Sequence, residues 1–178
     1  DLVEVEIQQA RSFGLKRAKV INVLSHENDQ NLISLISINE FDIPTEFTPE
    51  AISLAEQAQP VKISKGREDL RDINLITVDG DDARDFDDAI WAEKDKNPHN
   101  SNGWRMIVAI ADVAHYVSNG DPLDIDARKR GNSVYFADRV VPMLPENLSN
   151  GLCSLKPNED RGCLAVEIII DQFGHKKS

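Results

Sequence analysis

The sequence predicts an α+β protein, in which a small β domain is followed by a domain of mixed helices and strands. In "DLVEVEI" (1–7) apolar and polar residues alternate, which is the pattern of a half-buried strand. Two further apolar runs, "KRAKVINVL" (16–24) and "NLISLISI" (31–38), favour strands of the same small domain. From residue 73 onward, strand-like runs occur together with a capped helix, which predicts the mixed second domain.

Two segments carry the start signals of helices. Residues 48–58, "TPEAISLAEQA", begin with Thr48 as the capping residue and Pro49 at the first helical position. Residues 121–131, "DPLDIDARKRG", repeat the pattern with Asp121 as the cap, basic residues in the last turn and glycine as the stop. Both segments therefore predict short helices.

Apolar runs of the second part predict its strands. The candidates are "INLITV" (73–78), "AIWAE" (89–93), "WRMIVAIADVAHYV" (104–117), "SVYF" (133–136) and "CLAVEIII" (163–170). The run at 104–117 is so apolar that we expect a strand buried on both faces for much of its length.

The charge of the chain limits the kinds of partner it can bind. Its 178 residues include 31 acidic and 20 basic side chains, for a formal net charge of −11. This argues against a broad, nonspecific polyanion binder, because such proteins present a basic face. A focused site could still bind a phosphate if metal ions supplied the positive charge.

No feature of the sequence indicates a membrane or secretory protein. No apolar run approaches the roughly 20 residues of a membrane span, and no signal peptide is visible. Without such a signal, we expect Cys153 and Cys163 to be reduced thiols and the protein to be cytoplasmic. The chain begins at Asp1 and ends in "IIIDQFGHKKS", so we expect it to be a piece of a longer protein.

The segment "DGDDARDFDD" (79–88) contains six aspartates in ten residues. A solvated hairpin tip is the ordinary explanation of such a run, and Asp79-Gly80 is a favourable turn dipeptide. Here, however, apolar runs flank the aspartates and Phe86 lies among them, which draws the segment toward a core. Carboxylates near a core need a cation or strong hydrogen-bond donors.

Magnesium or manganese suits this segment better than calcium. An EF-hand calcium loop needs glycine at position 6 and glutamate at position 12, and registers starting at Asp79, Asp81 and Asp85 all fail this test. Oxygen ligands without histidine or cysteine favour magnesium or manganese, and pairs of such ions promote attack on phosphodiesters. Phosphoryl chemistry and a solvated loop both remain open on residue chemistry alone.

The second part of the chain resembles the ribonuclease II / ribonuclease R family of processive 3′-to-5′ exoribonucleases. The resemblance rests on "DLRDINLITVDGDDARDFDDAIWAEK" (69–94), "GWRMIVAIADVAHYV" (103–117), "PLDIDARKRGNSVYF" (122–136) and "RVVPMLPENLSNGLCSLKPNEDR" (139–161). It is closer to ribonuclease R than to ribonuclease II. The resemblance implies the end of a cold-shock (OB-like) domain at 1–44, a linker with a short helix at 45–68, and the N-terminal part of a ribonuclease II-type catalytic domain at 69–178.

The resemblance also implies roles for single residues. The family's catalytic, metal-binding aspartates fall on Asp79, Asp85, Asp87 and Asp88, where they would hold Mg²⁺, with Mn²⁺ as a possible substitute. Asp87 matches the aspartate that is most critical for catalysis. Tyr135 matches an aromatic residue that contacts the terminal nucleotides of RNA, although by itself it would be a strand aromatic packed in the core.

Five other polar residues receive no catalytic role, and two of them, Asp81 and Asp82, match no catalytic position of the family. Asp81 and Asp82 are expected to fill a turn, and His115 is expected to be structural. Asp112 is an unassigned carboxylate within an apolar run, whereas Arg84 could pair with an aspartate or with a phosphate.

The function implied by the resemblance is magnesium-assisted hydrolysis of single-stranded RNA from its 3′ end to nucleoside 5′-monophosphates. We expect the parent protein to have this activity and the 178 residues alone to have little, without a membrane or an obligate protein partner. One alternative is a noncatalytic RNA-binding protein that keeps the ribonuclease fold, and another is a calcium-binding acidic module.

Overall fold

The computed structural model describes residues 1–8, 17–26, 31–64, 66–81 and 83–178. These residues form two compact units. Unit 1 contains residues 1–47 and 129–143, and unit 2 contains residues 48–128 and 144–178. Helices and strands occur in both units, and all sheets are antiparallel, which confirms the predicted α+β class.

The first two strands of unit 1 form a ribbon. Strands β1 (Leu2–Gln8) and β2 (Arg17–Ser25) pair antiparallel, as the sequence predicts, while the residues that join them lie outside the described ranges. The expectation of a half-buried strand is wrong, because Val5 and Ile7 stay 44% and 69% exposed. A ribbon of two strands covers little of either face.

The third apolar run of unit 1 is a helix and not a strand. Helix α1 (Leu32–Glu40) replaces the strand predicted at 31–38. Its buried residues, Ser34 and Ile38, are one helical turn apart, so the run has a helical contact face. Hydrophobicity alone does not separate a short buried helix from a strand.

The rest of unit 1 is a second, very short ribbon. Strands β5 (Val134–Tyr135) and β6 (Val140–Val141) pair antiparallel. The Ser34 hydroxyl of helix α1 donates a hydrogen bond of 2.8 Å to the carboxylate of Asp138, in the turn between these strands. This bond ties α1 to the ribbon.

A three-stranded antiparallel sheet is the centre of unit 2. Its strands are β3 (Asp88–Lys94), β4 (Trp104–Ala111) and β7 (Cys163–Ile170), in the order β3-β4-β7. Alternate residues of β4, among them Ile107 and Ala109, are buried, whereas Ile110 on the other face is 51% exposed. The expectation that β4 is buried on both faces is therefore wrong, because only one face is covered.

Both predicted helices of unit 2 are present. Helix α2 (Pro49–Gln57) is capped by Thr48, whose hydroxyl accepts a hydrogen bond of 3.3 Å from the Ala51 amide. Helix α3 (Pro122–Arg130) begins where Asp121 accepts a hydrogen bond of 2.8 Å from the amide of residue 124. Local capping chemistry therefore fixed both helix starts.

The run predicted as a strand at 73–78 forms only one bridge. Ile76 exchanges two backbone hydrogen bonds with Ile90 of β3, at 2.9 and 2.8 Å, and no named strand includes it. Single helical turns at Pro98–Asn100, Val113–His115 and Leu148–Leu152 complete the unit. Within the described ranges, no helix is long and apolar enough to cross a membrane.

Candidate active site

The acidic segment of unit 2 leads from a turn into the edge strand β3. Asp79 is exposed and precedes the turn that the Ala83 amide closes on the Gly80 carbonyl, at 3.0 Å. Asp81 lies inside this turn, as predicted, and Asp82 falls outside the described residues. The last aspartate, Asp88, is the first residue of β3 and lies opposite Ile110 of β4.

Between the turn and the strand, the backbone of the segment is fixed by its neighbours. The half-buried Phe86 donates its amide to the Ser154 hydroxyl at 3.0 Å, and its carbonyl accepts from the Leu155 amide at 2.8 Å. One residue later, the Asp87 carbonyl accepts from the Ala111 amide at 2.9 Å. Phe86 thus anchors the run through the hydrogen bonds of its backbone.

Ser154 is a residue that the sequence did not reveal. It is fully buried and lies in the run "LCSLKP", where nothing in spacing or charge distinguishes it from an ordinary core serine. Its hydrogen bonds to the acidic segment cross 68 and 70 positions of the chain. Contacts of such separation are decided by the fold and leave no local pattern.

The electrostatics of the site centre on Asp87. The residue is exposed overall, yet nearby atoms partly desolvate its carboxyl group, which is the largest cause of a raised pKa. The negative charges of Asp85, Asp88 and Asp79 raise this pKa further, in that order. The other three predicted aspartates therefore lie close enough to Asp87 to act on its carboxyl group, and this repulsion would be reduced by a nearby cation.

The side chains of the acidic segment carry the kind of oxygen ligand that hard divalent cations prefer. Its side chains offer carboxylate oxygens only, which suit magnesium and manganese better than zinc or copper. Among the residues that the structure describes, no three histidine, cysteine, aspartate or glutamate side chains converge closely enough to form a metal-binding group. Magnesium keeps several of its waters and takes few ligands from a protein.

Tyr135 belongs to unit 1, whereas the four aspartates belong to unit 2. It lies on strand β5 and is 63% exposed, so it is not the packed core aromatic that a strand position by itself would suggest. An exposed aromatic ring offers a face on which a base can stack.

Two of the unassigned polar residues have structural partners. The carboxylate of Asp112 accepts a hydrogen bond of 2.6 Å from the Arg67 guanidinium, which resolves it as one half of an ion pair. His115 lies edge-on to the ring of Tyr116, with 4.9 Å between ring centroids. Arg84 is exposed, and its backbone carbonyl accepts a hydrogen bond from Ser154.

Together, the antiparallel sheet and the anchored acidic segment define a class of protein that presents several carboxylates next to the start of an edge strand. Residues 67–178 match the model of the RNB domain, and the chain therefore belongs to the RNB domain family. This finding confirms the family resemblance seen in the sequence. Nucleases of this family generally use a divalent metal ion.

Several curated relatives of this chain are named ribonuclease R. Ribonuclease R of Vibrio parahaemolyticus serotype O3:K6 is 46% identical over 99% of this chain and 21% of the relative. Ribonuclease R of Escherichia coli K12 is 42% identical over 97% of this chain and 21% of the relative. A structure of Mycoplasma genitalium RNase R in complex with double-stranded RNA aligns with a TM-score of 0.80 and 32% identity, covering 99% of this chain and 31% of that one. The chain thus spans about a fifth of the length of these curated relatives.

Proposed function

We propose that this chain is part of a 3′-to-5′ exoribonuclease that hydrolyses single-stranded RNA processively to nucleoside 5′-monophosphates. The observation that carries the proposal is the acidic segment, in which Asp87 lies within the electrostatic influence of three other aspartates. Membership of the RNB domain family and the similarity to ribonucleases R support it. The 178 residues alone are proposed to have little activity.

The proposed cation is Mg²⁺, with Mn²⁺ as a possible substitute, held by Asp79, Asp85, Asp87 and Asp88. When bound, such an ion polarises a phosphodiester and lowers the pKa of an attacking water. The chain itself holds the carboxylates in place through the backbone hydrogen bonds at Phe86 and Asp87. Desolvation and then the charges of the neighbouring aspartates raise the pKa of Asp87, and the positive charge of the ion would relieve that repulsion.

The proposed partner is the 3′ end of a single-stranded RNA. Tyr135 is proposed to stack on a base near this end, which its 63% exposure allows. Stacking of a base on an aromatic ring is worth about 1–3 kcal/mol and tolerates any base, as a processive exonuclease requires.

The domain boundaries and the location are also proposals. The β1-β2 ribbon supports residues 1–44 as the end of a cold-shock (OB-like) domain, with 45–68 as the linker and 69–178 as the N-terminal part of the catalytic domain. Cys153 and Cys163 are free cysteines in the structure, and the proposed location of the protein is the cytoplasm.

The test of this function is Asp87→Asn in the full-length protein, with Asp81→Asn as the matched control. Both changes remove one negative charge from the same segment, but Asp81 lies in the turn. We expect Asp87→Asn to lower the rate of mononucleotide release by at least about 100-fold, as for loss of a group that stabilises developing charge. Asp81→Asn should keep the wild-type rate.

The noncatalytic alternative makes the opposite prediction. If the protein only binds RNA, the full-length wild type releases no mononucleotides and Asp87→Asn changes nothing. The other alternative is a calcium-binding acidic module. Calorimetry that shows tight calcium binding without competition from magnesium would favour it.

A further inference from the structure

Ser154 connects the backbone on both sides of Asp85. Its side chain is fully buried. The hydroxyl donates a hydrogen bond to the Arg84 carbonyl at 3.0 Å and accepts one from the Phe86 amide, also at 3.0 Å. One buried hydroxyl therefore satisfies the two backbone groups that flank a proposed metal ligand.

The next backbone groups of the segment are held as well. The Phe86 carbonyl accepts from the Leu155 amide at 2.8 Å, and the Asp87 carbonyl accepts from the Ala111 amide at 2.9 Å. Among these contacts, the bonds of Ser154 are the ones made by a side chain, so they are the ones that a substitution can remove. The direction in which the carboxylate of Asp85 projects depends on this backbone.

Ser154 is itself held from the opposite side. It follows the single helical turn Leu148–Leu152, and its amide donates to the Gly151 carbonyl at 3.1 Å. The Arg161 guanidinium, whose side chain is only 13% exposed, donates through Nε to the carbonyls of Gly151 and Ser154 at 3.1 and 3.0 Å. These hydrogen bonds hold the backbone of Ser154 in place, and with it the position of the hydroxyl.

We propose that Ser154 is a positioning residue, which sets the backbone of residues 84–87 so that Asp85 and Asp87 present their carboxylates to a divalent cation. The inference rests on the proposed function, since it assigns Ser154 to that site. Replacing the hydroxyl removes the hydrogen-bond partner of both the Phe86 amide and the Arg84 carbonyl, and the backbone can regain partners by shifting. Groups that orient metal ligands typically change metal affinity or activity about 10–100-fold when removed.

The experiment compares Ser154→Ala with Ser149→Ala in the full-length protein. Ser149 lies in the helical turn Leu148–Leu152, which precedes Ser154, and its hydroxyl donates to the Pro145 carbonyl at 3.5 Å and not to the acidic segment. For Ser154→Ala, the Mg²⁺ concentration that gives half the maximal rate should rise about tenfold and kcat should fall, while KM for the RNA is unchanged. Ser149→Ala should keep the wild-type values.

A second readout does not need activity. In the 178-residue chain, Ser154→Ala should speed hydrogen exchange of the Phe86 amide, while amides of strand β4 keep their protection. If Ser154→Ala folds poorly, as judged from its Tm, Ser154→Cys replaces it, because a thiol has a similar shape but is a much weaker hydrogen-bond donor and acceptor.

The outcomes separate this inference from the proposed function. A Ser154 variant with the magnesium requirement of Ser149→Ala, or with unchanged exchange at Phe86, overturns the inference while the wild-type nuclease activity stands. Equal losses in the Ser154 and Ser149 variants also overturn it, because they indicate general destabilisation. An inactive wild-type protein overturns the proposed function, and the inference falls with it.

Discussion

At the scale of single residues, the surroundings of a side chain change its pKa. Asp87 has a raised pKa because of partial desolvation and the charges of its neighbours. A carboxyl whose pKa is higher in the folded state binds more protons there than in the unfolded chain. Its contribution to stability is therefore retained at low pH and lost as the pH rises through the window above 3.8. At neutral pH the ionised group opposes folding, which a bound cation would reverse.

Cys153 gives a prediction at this scale. Burial, followed by the charges of Asp87 and Asp112, raises the pKa of this thiol from 9.0 to about 11. Since the thiolate is the nucleophile, alkylation by iodoacetamide at pH 8 should be at least about 100-fold slower in the folded chain than in urea. Mass spectrometry of the Cys153 peptide measures the rate, with Cys163→Ala removing the second thiol. Equal rates in the folded and unfolded chain would contradict the prediction.

At the scale of elements, the sequence predicted helices correctly where a capping residue marks their start, and strands where an apolar run pairs with a neighbouring strand. Helix α2 starts after Thr48, whose hydroxyl accepts from the Ala51 amide, and strands β3 and β7 follow their apolar runs. Strand β4 ends at Ala111 and not at residue 117 as predicted, because a helical turn follows it. The errors are in runs whose neighbours decide their structure. Residues 31–38 form most of helix α1, and residues 73–78 contribute a single bridge at Ile76.

Asp126 gives a prediction at the element scale. This buried carboxylate of helix α3 accepts two hydrogen bonds from Thr48, one from its amide at 2.8 Å and one from its hydroxyl at 2.9 Å. We expect Asp126→Ala to lower the free energy of unfolding by about 2–3 kcal/mol, because both donors lose a charged acceptor.

Urea denaturation measures this change. Asp126→Asn keeps an acceptor oxygen and should retain more of the stability, while Glu56→Gln, at an exposed position of α2, should be neutral. If Asp126→Ala is as stable as the wild type, the two hydrogen bonds between Thr48 and Asp126 do not contribute to stability.

At the scale of the whole molecule, unit 2 exposes an apolar sheet face. Ile110, Leu164 and Val166 lie on the same face of the β3-β4-β7 sheet and are 51%, 70% and 55% exposed. Contiguous apolar surface of this kind favours association in water. The purified 178-residue chain is therefore expected to self-associate and to bind a hydrophobic dye.

The double change Leu164→Lys with Val166→Lys should reduce both effects. Ala165→Lys is the matched control, since it adds a charge to the same strand on the opposite face. Light scattering and dye fluorescence measure the outcome. If the control reduces association as much as the double variant does, net charge and not the apolar face is responsible.

Capping residues and periodicity, which are local in the chain, predict the helix starts at Thr48 and Asp121 and most of the central sheet. Ordered motifs indicate the family, and the resemblance to that family implies the four aspartates. The helix at Leu32–Glu40, the ion pair of Asp112 with Arg67 and the hydrogen bonds of Ser154 to the acidic segment became visible in the folded chain. Each of these depends on partners far away in the chain, and no local pattern carries that information.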